Sequence, residues 1–129
     1  MTSTSTRVLW WLLRLIGATT VVSGGVQMLA PQIVLQAVGG DASPAALHFF
    51  AIVGMFMVLF GALLWFALEH GQSRYPLVLA GLQKFGASAA VALGISKGFF
   101  GAVAALVAGF DFLSAVLIVG FLVVTRRES

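Results

Sequence analysis

Four long runs of apolar residues divide the chain. They cover about residues 8–30, 47–68, 76–96 and 100–124. A helix that crosses a bilayer needs about 20 mostly apolar residues, and each run reaches that length. The connections after the second and third runs are only a few residues long, which favours antiparallel neighbours. The pattern therefore predicts an all-α membrane protein whose single domain is a four-transmembrane-helix antiparallel bundle.

The segment between the first two runs predicts a short additional helix. It reads "PQIVLQAVGGDASPA", with Pro31 ending the first run, an apolar stretch at "IVLQAV" and turn residues at "GGDASP". We expect "PQIVLQAV" to form a short interfacial helix on the mouth of the bundle. The first run exceeds the 7–15 residues of a signal peptide's apolar region, so we expect it to be a membrane helix.

The composition agrees with membrane integration and removes several classes of function. Hydrophobic residues make up 60% of the chain and charged residues 9%, with a mean hydropathy of +1.09, whereas soluble domains carry about 25% charged residues. The absence of cysteine excludes disulfides, thiolate chemistry and cysteine-based metal sites. The formal charge is +3, but the basic residues are scattered between apolar runs, so no nucleic-acid surface is expected.

The distribution of basic residues predicts the orientation. One side of the membrane would carry Arg7, Arg14, Arg74, Arg126 and Arg127, and the other would carry Lys97. Cytoplasmic segments are enriched in lysine and arginine. We therefore expect both termini to face the cytoplasm, in the inner membrane of a cell.

Two charged residues lie deep within the third and fourth runs. Lys84 and Asp111 are equally far from the turn expected near residue 97, so an antiparallel hairpin places both near the bilayer midplane. An unpaired charge at that depth costs roughly 2.5–3.5 kcal/mol, and such residues usually face the interior and pair. We predict an interior polar site of Lys84 and Asp111, supported by Gln83, Ser88 and Ser114.

A stripe of small residues predicts a close seam between the same two runs. Its members are Gly86, Ala90, Gly94 and Gly98 in the third run and Gly101, Ala105 and Gly109 in the fourth. Small residues at four-residue spacing let helix backbones approach closely in lipid. This seam would put Lys84 and Asp111 on its opposite flanks, so a direct pair competes with other partners, such as Arg14, Gln27, a water or another chain.

Signatures of catalysis and metal binding are missing from the sequence. There is no HExxH, GxSxG or phosphate-loop motif, so no catalytic residue is predicted and we lean away from an enzyme. His48 lies at the start of the second run and His70 just after its end, 22 residues apart. That is about 33 Å along a helix, so the two cannot share a metal within one chain. No metal site is predicted, and a pigment or haem ligated by His48 is left open.

The outline of the chain resembles the loose group of DoxX-like small bacterial membrane proteins. The resemblance rests on "MLAPQIVLQAVGG" followed by "HFFAIVGMFMVLFGALL", with Pro31, Gly39, Gly40, Gly54 and Gly61 at the matching positions. It implies a four-helix membrane protein, and some members are linked to quinone or thiosulfate metabolism as small subunits. No catalytic motif carries over, and the lack of cysteine argues against a sulfur-relay role.

Three classes of function follow from these observations. The first is an accessory subunit or assembly factor that packs against a larger membrane complex or a second copy. The second is a binder or enzyme for an apolar ligand such as a quinone, lipid or pigment, held by Lys84, Gln83 and Asp111. The third is a proton or small-solute carrier that uses Asp111 and Lys84. The sequence names no cofactor.

Overall fold

The chain forms a bundle of helices. The computed structural model describes residues 3–128, and within them it contains five helices and no strand. The helices are α1 (Thr4–Leu29), α2 (Pro31–Ala37), α3 (Pro44–His70), α4 (Tyr75–Ser96) and α5 (Val103–Glu128). The four long ones are apolar and long enough to cross a membrane. The predicted all-α class, the four long helices and the short helix after the first are confirmed, and these are the properties of a small integral membrane protein.

Polar residues at the helix starts explain where the observed bounds differ from the apolar runs. α1 begins at Thr4 because the Ser3 side chain accepts a hydrogen bond from the Thr6 N–H, and α3 begins at Pro44 because Ser43 caps it in the same way. Both helices therefore start ahead of their apolar runs. α5 starts later than its run, because the turn that contains Gly98, with a φ of 77°, extends to residue 102.

Two antiparallel hairpins make up the bundle. α1 packs against α3 with α2 in the connection, and α4 packs against α5. The hairpins meet through contacts of α1 with α5 and of α3 with α4. Their shared apolar core lies in the half of the bundle that holds the start of α1 and the end of α3. Its buried members are Leu13, Ile16, Leu64, Ala67, Leu68, Leu77, Ala80, Ile118 and Phe121.

Glycines close the α1–α3 hairpin. A Cβ added at Gly24 would lie 2.6 Å from the carbonyl oxygen of Gly54, and one added at Gly61 would lie 2.8 Å from that of Gly17. Real Cβ atoms do not approach backbone oxygens so closely, so only glycine fits these positions. The two backbones are in direct contact, which is how helices gain packing energy in lipid.

Four members of the stripe of small residues predicted at the α4–α5 seam lie on the exposed surface instead. Gly86, Ala90, Ala105 and Gly109 are exposed, and a Cβ at Gly86 or Gly109 would meet nothing within 4 Å. A seam along this stripe would turn the charged side chains away from the interior. Because a charge left facing lipid is costly, the observed rotation places the two charges inward.

The remaining members of that stripe lie at the end of the hairpin. Gly94 is buried against the Phe100 ring, 2.6 Å from where its Cβ would be. Gly98 lies in the turn, and the Gly101 N–H donates to the Val38 carbonyl at 2.8 Å. Gly101 thus ties the α4–α5 turn to the segment after α2, which joins the two hairpins at this end.

Candidate functional site

The ammonium group of Lys84 lies where three helices meet. Lys84 is 4% exposed, and its Nζ donates to Asp111 Oδ1 on α5 at 3.0 Å and to Thr20 Oγ1 on α1 at 2.7 Å. The structure therefore brings together the two charges that the sequence placed at equal depth. It also joins them to the other hairpin through Thr20.

The helix periodicity explains why both charges face inward. On α4, Lys84 shares its buried face with Leu77, Gly81 and Ser88, at the three- and four-residue spacing of one helix side. On α5, Asp111 is buried in the same way, at the spacing of a set that includes Ala104, Ala115 and Ile118. The two charged residues therefore lie on the same helix faces as buried apolar residues, and they form a polar layer next to the apolar core.

Hydroxyl groups complete this layer. Thr20 Oγ1 donates to the Ile16 carbonyl at 2.8 Å, so its lone pairs are directed at Lys84. Ser88 Oγ donates to the Ala108 carbonyl at 2.9 Å and links α4 to α5. Ser114 Oγ donates to Phe110 of its own helix at 2.7 Å.

Not every predicted polar residue takes part in the charged contact. Ser88 and Ser114 are buried nearby but make no hydrogen bond to Lys84 or Asp111 in the described part of the chain. Gln83 is half-buried, and its side chain makes no hydrogen bond to a described residue. The charged cluster therefore consists of Thr20, Lys84 and Asp111.

The electrostatics of this cluster depend on pairing. The side chains of Lys84 and Asp111 keep only 5% and 12% of their surface exposed, and the Lys84 ammonium also lies 5.2 Å from the centre of the Phe110 ring. A buried pair is costly to break, because removal of one partner leaves the other charged and unpaired in a low-dielectric medium. Chemically, the cluster can link three helices through the Lys84 ammonium group.

The histidines and acids do not assemble into a metal site. Among the described residues, no group of three or more histidine, cysteine, aspartate or glutamate side chains could hold a metal ion. His48 and His70 lie near opposite ends of α3 and are both exposed. The His48 ring makes a T-shaped contact with the Phe49 ring, and His70 stacks on Phe66.

A second charged cluster lies between α1 and α3, nearer the termini. Arg14 Nη2 lies 2.7 Å from Glu69 Oε1. The Arg14 guanidinium is 4.1 Å from the Trp65 ring centre and 4.5 Å from that of Trp10, distances at which cation–π attraction operates. The sequence suggested Asp111 as one alternative partner for Arg14, but the structure places it with Glu69.

Thr20 is the residue that the sequence analysis missed. Equal depth identified the partners within one hairpin, but that rule says nothing about the helix from the other hairpin. The available signal was a hydroxyl in the middle of an otherwise apolar run, since such groups hydrogen-bond across helices in membranes.

Two surface cavities lie away from the charged cluster. One, of about 640 Å³, follows the outer face of α1. The other, of about 300 Å³, lies beside the α3–α4 connection and includes His70 and Ser73. Neither is lined by Lys84, Gln83 or Asp111.

Comparisons with known proteins add no assignment. No protein family, no curated protein and no solved structure matches this chain.

Proposed function

We propose that this chain is an accessory subunit or assembly factor that packs, through the outer face of α4, against another membrane protein. The supporting observation is the exposure of Gly86 and Ala90, one turn apart on that face. Exposed Leu82 and Leu93 flank them. Small residues between larger ones form a notch into which a partner helix fits closely, and such notches are enriched at helix interfaces in lipid.

The charged cluster supports this role as a stabilising element. Lys84 is bonded to two other helices, so the internal polar groups hold the subunit together. Neither of the two surface cavities described above is lined by these residues, so neither supplies the pocket that the apolar-ligand hypothesis needs.

We also propose the orientation and the relationship that the sequence suggested. Both termini face the cytoplasm in a cell inner membrane, supported by the excess of arginine at that end. Kinship with DoxX-like proteins is supported by the helix count and by Pro31, which starts the short second helix.

The test compares the size of the complex for matched variants. The tagged chain is extracted from its own membrane in a mild detergent, and its mass is measured by size-exclusion chromatography with light scattering. We expect a defined larger assembly for the wild type and the free chain for Gly86→Leu. Gly86 has nothing within 4 Å of its Cβ position, so the substitution leaves the fold of the chain itself intact.

The control adds bulk to another exposed position. Val22→Phe changes a residue of α1 that is also exposed, and we expect it to leave the assembly unchanged. A free chain for the wild type, or equal loss of assembly in both variants, would contradict the proposed surface.

A second candidate function is a proton or small-solute carrier. The observation that favours it is the residual 12% exposure of the Asp111 side chain, next to a lysine that can neutralise it. Intramembrane acid–base pairs of this kind often belong to proton pathways. Proton flux in liposomes that Asp111→Asn abolishes would support this function, and equal flux for protein-containing and empty liposomes would exclude it.

A further inference from the structure

The outer face of α1 carries a shallow, open groove whose lining residues all belong to this one helix, with a polar end and an apolar end. The groove has a volume of about 640 Å³ and is lined by Thr4, Arg7, Val8, Trp11, Leu12 and Leu15. From Thr4 to Leu15 the helix rises by roughly 16 Å. The groove therefore begins at the first turn of α1 and runs toward the middle of the span.

The polar end holds a cation that has no partner in the described chain. Arg7 is exposed, and its guanidinium makes no ion pair there. The first turn of α1 contains no acid. Glu69, an acid at the same end of the bundle, is already paired with Arg14 at 2.7 Å. Arg7 is thus available to an anion from outside, and a guanidinium matches the geometry of a phosphate group.

The apolar end suits a hydrocarbon chain. Val8, Leu12 and Leu15 are 52%, 40% and 64% exposed, and the Trp11 ring between the two ends is 63% exposed. Tryptophan is favoured at the level of lipid headgroups, where one side of its ring is apolar and its N–H meets polar groups. A ligand of this groove would therefore carry its charge beside Arg7 and its apolar part beside Leu15.

We infer that this groove binds an anionic phospholipid, with the phosphate on Arg7 and Thr4 and an acyl chain along Val8, Leu12 and Leu15. Charge complementarity selects the headgroup. A zwitterionic lipid would bring an ammonium to a helix end that offers it no free acid among the described side chains. Soluble phosphate would leave the apolar part of the groove unused.

The experiment measures which lipid stays attached. The purified protein in a neutral detergent is mixed with equal amounts of phosphatidylglycerol and phosphatidylcholine of the same acyl chains, and native mass spectrometry counts the bound lipids. We expect wild type to retain phosphatidylglycerol preferentially and Arg7→Gln to lose about fivefold in that binding. Leu15→Ser should weaken the binding of the same lipid.

The control removes an equal charge at the same end of the bundle, where α1 starts and α5 ends. Arg127 is exposed and does not line the groove, so Arg127→Gln should bind phosphatidylglycerol as the wild type does. Equal retention of the two lipids by wild type, or equal losses in the two arginine variants, would overturn the site. Displacement of the lipid by millimolar inorganic phosphate would overturn the role of the apolar groove.

Discussion

The two helices of each hairpin are held together by different kinds of contact. In the α1–α3 hairpin, glycines bring the backbones together, with Gly24 and Gly54 so close that neither tolerates a Cβ. In the α4–α5 hairpin, the exposed glycines Gly86 and Gly109 have nothing within 4 Å of their Cβ positions, and Lys84 joins Asp111 in the interior.

The difference shows that a small residue predicts a close helix contact only when the face of the helix that it occupies is also known. Lipid provides no hydrophobic force between helices, so close packing and interhelical hydrogen bonds drive their association. Where a helix carries a buried charge, the need to pair that charge determines its rotation. Where it carries none, as on α3, the small residues determine it.

The largest expected effect comes from breaking the Lys84–Asp111 pair, which joins α4 to α5. Lys84→Met leaves Asp111 buried without a partner, and we expect the bundle to lose about 3–5 kcal/mol of stability. Unfolding in detergent micelles, followed by circular dichroism during titration with a denaturing detergent, measures this loss. The double variant Lys84→Met with Asp111→Leu should recover much of it, because no unpaired charge remains.

Lys97 supplies the control for the loss of a lysine. It lies in the exposed turn after α4, so Lys97→Met should unfold as the wild type does. Equal stability of wild type and Lys84→Met would show that the pair does not hold the α4–α5 hairpin together.

The close glycine contact between α1 and α3 should be the next most sensitive to substitution. A Cβ at Gly24 would lie within 2.9 Å of backbone atoms of Gly54 and Val58, which cannot move without moving α3. We expect Gly24→Ala to cost about 2 kcal/mol in the same unfolding assay, although alanine is the better helix former.

The neighbouring glycine is a matched control for that substitution. Gly25 has nothing within 4 Å of its Cβ position, so Gly25→Ala should be neutral or stabilise the chain by up to about 1 kcal/mol. If the two alanine variants unfold alike, the close approach of α1 to α3 does not contribute to stability.

The smallest expected effect tests the link between the hairpins. Thr20→Val keeps the shape of the side chain but removes the oxygen that accepts from Lys84. We expect a loss of about 1 kcal/mol, since Lys84 retains Asp111. Thr19→Val, at the exposed neighbouring position, should have no measurable effect. A Thr20 variant as stable as this control would show that the hydrogen bond between Thr20 and Lys84 does not stabilise the bundle.

Part of the site could be predicted because it depends only on how deep each residue lies along its helix. Depth in the membrane follows from counting residues along two antiparallel helices, so the sequence alone was enough to place Lys84 and Asp111 at one level. Counting could not find Thr20 or the Arg14–Glu69 pair, because each joins helices whose relative position is not set by a short turn.

The sequence by itself determined the class of the protein, the number of spans and the depth of its charges, since these follow from the lengths and composition of apolar runs. Only the tertiary structure decided how each helix is rotated about its axis. Successive residues are about 100° apart around a helix, so a rotation of about that angle brings a neighbouring residue to the buried position. That rotation reflects the packing of four helices at once, which placed Gly24 inside and Gly86 outside although both are glycines in apolar runs.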